Sequence, residues 1–210
     1  MVIKAGRTDF QEKLNVSRET IERLDQYESL LQKWNPAINL IGKSTLNDVW
    51  TRHFLDSAQA FKIANRQAGH WVDIGTGGGF PGAVVATIAV DAVPDLRFTF
   101  VESDMRKATF LRVLTRELGL NAETLTDRVE GLPSLGADIL SARALAPLTE
   151  LLGHAALHLN PDGRAIFMKG GSFQKEVTES LEKWAFQSDE YPSITDGTAV
   201  VLSLGEIRRV

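Results

Sequence analysis

The chain has 210 residues, 43% hydrophobic and 24% charged, the balance of an ordinary globular α/β domain with a core of comfortable size. Its net charge of −4 argues against a broadly basic surface that coats nucleic acid, but leaves room for a local basic patch. It contains no Cys, which excludes disulfides, thiolate zinc sites, cysteine-held iron–sulfur clusters and a cysteine nucleophile, and with them radical chemistry and attack on a pyrimidine ring.

In chain order, Met1 to Asn15 is polar and mixed in charge, unlike a signal peptide. No apolar run approaches the roughly 18 residues of a membrane span. The expectation is a cytoplasmic protein. Ser17 is placed to cap a helix whose apolar positions Ile21, Leu24, Tyr27, Leu31 and Trp34 recur at spacings of three and four. Pro36 should stop it, because the residue before a proline is pushed out of the helical region. A second helix is predicted from Ser44/Thr45 to about Ala64, with a capping box of Thr45 and Asp48 and a stripe of Leu46, Trp50, Phe54, Ala58 and Phe61. Trp34 and Trp50 read as core packing rather than base-stacking platforms. These segments make residues 1–66 a helical extension and leave 67–210 as the main unit.

From His70 the pattern alternates. Strands are predicted at Trp71–Ile74, Arg97–Val101, Glu123–Thr126, Asp138–Ser141, Arg164–Met168 and Val200–Leu204. Helices fall between them at Gly82–Val90, 104–118 (with Gly119 just past its end), Pro147–Leu159 and Gln174–Trp184. Such alternation means an α/β fold with a mostly parallel sheet.

The run from Asp73 to Gly82 lies between a strand and a helix, and satisfies two patterns. Gly77, Gly79 and Gly82 fit the dinucleotide fingerprint G-x-G-x-x-G; Asp73, Gly75, Gly77 and Gly79 fit an acid-x-G-x-G-x-G pattern that resembles the first motif of class I methyltransferases. The acid decides between them. A pyrophosphate gains nothing from a neighbouring carboxylate, whereas S-adenosylmethionine carries an ammonium and a sulfonium. Glu102, just past the second strand, suits the ribose hydroxyls of either cofactor.

Arg52-His53-Phe54-Leu55-Asp56-Ser57, the Phe80-Pro81-Gly82 ending of the turn, Asn39-Leu40, Ser141-Ala142-Arg143-Ala144 and Lys169-Gly170 complete a set. Together they resemble the RsmG (GidB) family of ribosomal RNA guanine-N7 methyltransferases, over about Ile21 to Lys169. The resemblance implies a Rossmann-like, seven-stranded, mostly parallel sheet with helices on both faces. It also implies methyl transfer from S-adenosyl-L-methionine to N7 of one guanine in the 530 loop of 16S rRNA, with the 30S subunit as partner and a monomeric enzyme. Carried over residue by residue, it places cofactor contacts at Gly75, Phe80, Val129, Glu130 and Arg143, beside Asp73, Gly77, Gly79 and Glu102. Arg52, His53, Asp56 and Lys169 become candidates for the methyl or RNA pocket. Two departures stand out: Ile41-Gly42 follows Asn39-Leu40, and Asp196 to Ala199 lacks the basic residue common before the last strand.

Guanine N7 offers a free lone pair and has no proton to lose, so such an enzyme needs orientation rather than a general base. No His/acid dyad and no Asn-Pro-Pro-aromatic motif is evident. From spacing alone, Arg52 and Asp56 at i, i+4 read as an intrahelical ion pair. Arg106, Lys107, Arg112 and Arg116 read equally as solvated helix surface or as phosphate contacts. His154 and His158 share a helix face, but lack a third ligand, so no metal site is expected. A class I methyltransferase of a small molecule and an NAD-dependent oxidoreductase are the competing readings.

Overall fold

The computed structural model describes residues 5–210; Met1 to Lys4 of the polar start lie outside the described residues. Helix α1 spans Ala5–Leu14 and α2 Arg18–Ile38. Ser17 caps α2 by accepting from the Thr20 amide at 3.0 Å. Pro36 does not stop the helix, contrary to the sequence reading. It lies in the last turn, where its ring forfeits a single backbone bond, and the Asn35 side chain accepts from the Ile41 amide at 2.8 Å to close the end. Asn39, in the left-handed region, terminates it.

The expected single helix from Thr45 to Ala64 is three segments: a 3₁₀ turn (Lys43–Asp48), a π-helical turn (Val49–Leu55) and α3 (Asp56–Ala64). The Thr45–Asp48 capping box gives way to a tight turn in which both the Thr45 amide and hydroxyl donate to the Gly42 carbonyl. A π turn at a helix is often found at functional sites, and here it carries Arg52 and His53.

The sheet strands are β1 (Gly69–Ile74), β2 (Leu96–Val101), β3 (Ala122–Leu125), β4 (Ala137–Arg143), β5 (Leu159–Lys169), β6 (Trp184–Pro192) and β7 (Val200–Arg209), in the order β3-β2-β1-β4-β5-β7-β6. Strands β1 to β5 pair in parallel, while β7 runs antiparallel to both β5 and β6. The intervening helices are α4 (Gly82–Ala92), α5 (Met105–Leu118), α6 (Leu148–His158) and α7 (Phe173–Ser180). The helix expected over Gln174–Trp184 ends at Ser180, and Trp184 instead opens β6, a strand for which the sequence carries no alternating pattern.

Strand residues alternate between two cores, as period-2 geometry requires. Trp71, Phe98, Phe100, Ile139 and Ile166 face one side, where α3, α4 and α5 cover the sheet and α2 packs on α4 and α5. Val72, Ile74, Leu140, Ala142 and Phe167 face the other, under α6 and Trp184. The N-terminal helices share the first cluster: Tyr27, Trp50 and Phe54 are buried with the Rossmann-like residues. Trp50 meets Phe10 and Phe54 edge-on and Trp34 meets Phe110, so both indoles are packing residues as expected. Between β1 and β4 the strand order reverses, and in open α/β sheets the carboxyl ends of the strands at such a switch point are where ligands bind.

Candidate active site

Four strand ends carry the candidate residues at this edge of the sheet: Asp73 near the end of β1 with Gly75 just after it, Glu102 after β2, Arg143 at the end of β4 and Lys169 at the end of β5. Gly75 and Gly77 adopt φ +62° and +57°, conformations that favour glycine. Glu102 fixes the turn between them, its carboxylate accepting from the Gly77 and Asp104 amides at 2.8 Å each. Each carboxylate oxygen keeps a further lone pair for a ligand hydroxyl.

Asp73 is fully buried. Its Oδ1 accepts from Ser141 on the adjacent strand, its register partner, while Oδ2 has no hydrogen-bond partner among the described residues. Burial pushes its carboxyl up to about 7, although the Ser141 hydroxyl pulls the other way. Between about pH 4 and 7 the unfolded chain releases this proton while the folded protein keeps it, so stability should fall as pH rises through that window and level off above it. Denaturant titrations of Asp73→Asn should lack that slope; a variant that keeps it would place the titration elsewhere.

Gly79, Phe80 and Gly82 serve the turn in a different way. Tyr27 donates from its hydroxyl to the Gly78 carbonyl at 2.7 Å, and its ring stacks on Phe80 at 5.7 Å. Burial holds the Tyr27 phenol well above its ordinary value, so it remains a donor. A Cβ on Gly82 would fall 2.5 Å from that of Asp73. The Phe80 ring is buried between Tyr27, His53 and Phe54, with the Arg143 guanidinium over it at 4.6 Å. Its side chain thus joins the helical extension to the turn.

Arg143 is the hub. It donates to His53 Nδ1 at 2.9 Å, to Asp56 Oδ2 at 3.4 Å and to the Arg52 carbonyl at 3.4 Å. The spacing-based Arg52–Asp56 pair is therefore replaced by Arg143–Asp56; Arg52 lies exposed on the π turn. An arginine only donates, so His53 Nδ1 accepts and Nε2–H donates to Thr45 Oγ1 at 2.8 Å. Burial, then Arg143 and Arg52, hold the imidazole down to about 3, and it stays neutral. Asp56 also accepts from Gln59, Ser193 and Thr195, which binds the β6–β7 loop to the site. On one side of this network lies a cavity of about 300 Å³ bounded by Thr45, Arg52, His53, Thr195 and Asp196; on the other, one of about 220 Å³ reaches Lys169 and Glu176.

Lys169 does not stand free. It pairs with Glu176 at 2.7 Å and donates to the Ala146 carbonyl at 3.0 Å, with only 10% of its side chain exposed. Burial would raise the Glu176 carboxyl, but Lys169 and the Leu148 amide hold it below its usual range. Lys169→Met should cost about 1–3 kcal/mol by leaving that carboxylate underpaired, and Lys169→Met with Glu176→Gln should recover part of the loss in chemical denaturation. An additive double variant would contradict the pairing.

Val129 and Glu130 form a 3₁₀ turn after β3, Val129 buried and Glu130 exposed. His158 donates to the Val129 carbonyl at 3.1 Å, a support that sequence spacing could not reveal. Among the described residues no cluster of three His, Asp or Glu gathers as a metal site would. Of the basic run on α5, Arg106 pairs with Asp104, Arg116 with Glu117, and Arg112 bonds Thr124 and Thr126.

A family model described as rRNA small subunit methyltransferase G (GidB) matches residues 20–201. The chain belongs to this family. A Ribosomal RNA small subunit methyltransferase G of Cereibacter sphaeroides is 50% identical over 95% of this chain and 96% of its own length. That of Rhodospirillum centenum is 47% identical over 95% and 90%. Among solved structures, a SAM dependent methyltransferase from Aquifex aeolicus aligns with TM-score 0.57 at 13% identity, over 84% of this chain and 96% of that one. TYW2 from Pyrococcus horikoshii aligns with TM-score 0.56 at 15% identity, over 72% and 61%. The fold is thus the class I methyltransferase fold, and the G-family relatives share nearly the full length.

Proposed function

We propose that this methyltransferase transfers the methyl group of S-adenosylmethionine to N7 of one guanine in the 530 loop of 16S rRNA, acting as a cytoplasmic monomer on the small ribosomal subunit. S-adenosylmethionine-dependent methylation of ribosomal RNA follows from family membership, and with it the oxidoreductase and small-molecule readings fall away. The turn fits the cofactor on its own chemistry: the orphaned, buried Asp73 Oδ2 and the fixed Glu102 carboxylate are what a cationic ligand with a ribose diol requires. Glu102 would take the ribose, Gly75 and Gly77 would let the backbone approach, and Val129–Glu130 would flank the adenine. Bound there, the cofactor supplies an electrophilic methyl on a sulfonium. A cation beside Asp73 favours the ionised carboxylate, so cofactor affinity measured by calorimetry should rise as pH passes about 7.

One observation carries the choice of acceptor atom. The titratable side chains at the cavity wall are engaged: His53 has both ring nitrogens in hydrogen bonds, Asp56 accepts from four side chains, and Asp196 accepts from the Thr198 amide and hydroxyl, which hold its carboxyl below the usual range. None is poised to remove a proton. A nucleophile that arrives with a free lone pair fits this pocket, and guanine N7 is one. Labelled methyl transfer to 30S subunits lacking the modification, followed by borohydride/aniline cleavage, should map N7-methylguanine to the 530 loop. Label at another position, or resistance to cleavage, would reject the assignment.

A further inference from the structure

Behind the loop that closes the acceptor cavity lies a second groove, of about 450 Å³, between the end of α1, helix α3 and the end of β6. Its floor is apolar: Leu14, Ile63 and Pro192, with Tyr191 and Ile194 standing 41% and 53% exposed at its edge. Among the described residues, Lys13 and Lys62 are its charged side chains and no carboxylate lines it. In a chain with 27 acidic and 23 basic residues, a groove with two lysines and no acid departs from the surrounding balance. Lys62 spends one proton on the Lys13 carbonyl at 2.6 Å, and both side chains lie exposed.

The groove and the acceptor site share the loop that separates them. Gln59 donates to the Asp56 carbonyl at 3.0 Å and to Asp56 Oδ1 at 3.2 Å, and its Oε1 accepts from the Ile194 amide at 2.9 Å. Asp56 in turn pairs with Arg143. The 193–196 loop therefore has the acceptor cavity on one face and the groove on the other, held by the same two side chains.

We infer that this groove binds a single-stranded segment of the substrate RNA next to the target guanine, with Tyr191 stacking an unpaired base and Lys13 and Lys62 facing phosphates. The inference rests on the rRNA reading above. Aromatic and apolar surface beside isolated cations, with no acid between, is the combination that single-stranded nucleic acid requires, since every base offers a ring face and every linkage a negative charge. A groove meant for an acidic protein segment would carry the same lysines, so naked RNA is the deciding probe.

The test measures affinity for an oligoribonucleotide spanning the 530 loop by fluorescence anisotropy, alongside KM and kcat on 30S subunits. Tyr191→Ala should weaken RNA binding and raise KM about tenfold, with kcat and the dissociation constant for S-adenosylmethionine unchanged, while Tyr191→Phe should remain close to the parent. Lys13→Gln with Lys62→Gln should flatten the slope of log affinity against log salt by about 0.7 per lost contact. Wild-type RNA affinity and salt slope in the variants would overturn the inference, even if methylation proceeds normally. A KM raised on 30S subunits with binding of naked RNA untouched would also overturn it, in favour of a protein contact. RNA binding that the variants weaken, with no methylation of the 530 loop by the parent, would uphold the groove and fail the acceptor assignment instead.

Discussion

Replacing Arg143 with alanine is expected to reduce methyl transfer on the order of 10²-fold and to destabilise the fold by about 2–3 kcal/mol. The two effects have one origin. The guanidinium lies over Phe80, donates to His53 and pairs with Asp56, and burial outweighs Asp56 in lowering its affinity for its proton without neutralising it. Without it, His53 Nδ1 and Asp56 Oδ2 lose their donor in a part-buried site, and the contact between the π turn and β4 opens. Arg143→Lys tests geometry against charge: an ammonium cannot fork to His53 and Asp56 while covering a ring. It should retain most of the stability and little of the activity. Full activity in Arg143→Lys would reduce the residue to a counter-ion, and unchanged cofactor affinity in Arg143→Ala would remove it from the cofactor side of the site.

Much of this site could be read from the sequence because its chemistry is concentrated at strand ends. Asp73, Gly75, Gly77 and Glu102 sit within short local patterns, and the alternation around them predicts the parallel strands. What escaped reading depends on tertiary contacts. Trp184 to Pro192 is an edge strand whose side chains, after Trp184, are at most half-buried, so it carries no period-2 signal. The π turn at Val49–Leu55 has an apolar spacing close to that of an α-helix, and only its packing shows that Asp56 turns to Arg143 rather than to Arg52. Ser193, Thr195 and Gln59 belong to no motif; they matter because a hairpin loop returns to α3, more than 130 residues away in sequence. Pro36 misled in the opposite direction, since a proline in the last helical turn breaks so little that the turn survives.

Gly79→Ala should be the most damaging single methyl group that can be added to the turn. At φ +101° an alanine is strained, and its Cβ would stand 1.9 Å from the Tyr27 hydroxyl oxygen and 3.0 Å from Ala83 Cβ. Overpacking of this kind costs about 1–3 kcal/mol and a strained backbone a similar amount, against a total stability of about 5–15 kcal/mol for a domain. Relief cannot come from a small shift, because Tyr27 is fully buried, bonded to Gly78 and stacked on Phe80. Tyr27→Phe combined with Gly79→Ala removes the closest atom but leaves the Gly78 carbonyl without its donor and the φ strain in place. The double variant should therefore recover only part of the loss. Gly197→Ala, whose added Cβ meets nothing within 4 Å, should be close to neutral in the same denaturation series. Equal stability of Gly79→Ala and Gly197→Ala would mean that α2 does not brace the turn. The observed packing instead makes the N-terminal helices a structural part of the Gly-rich turn, since Tyr27 bonds the Gly78 carbonyl and stacks on Phe80.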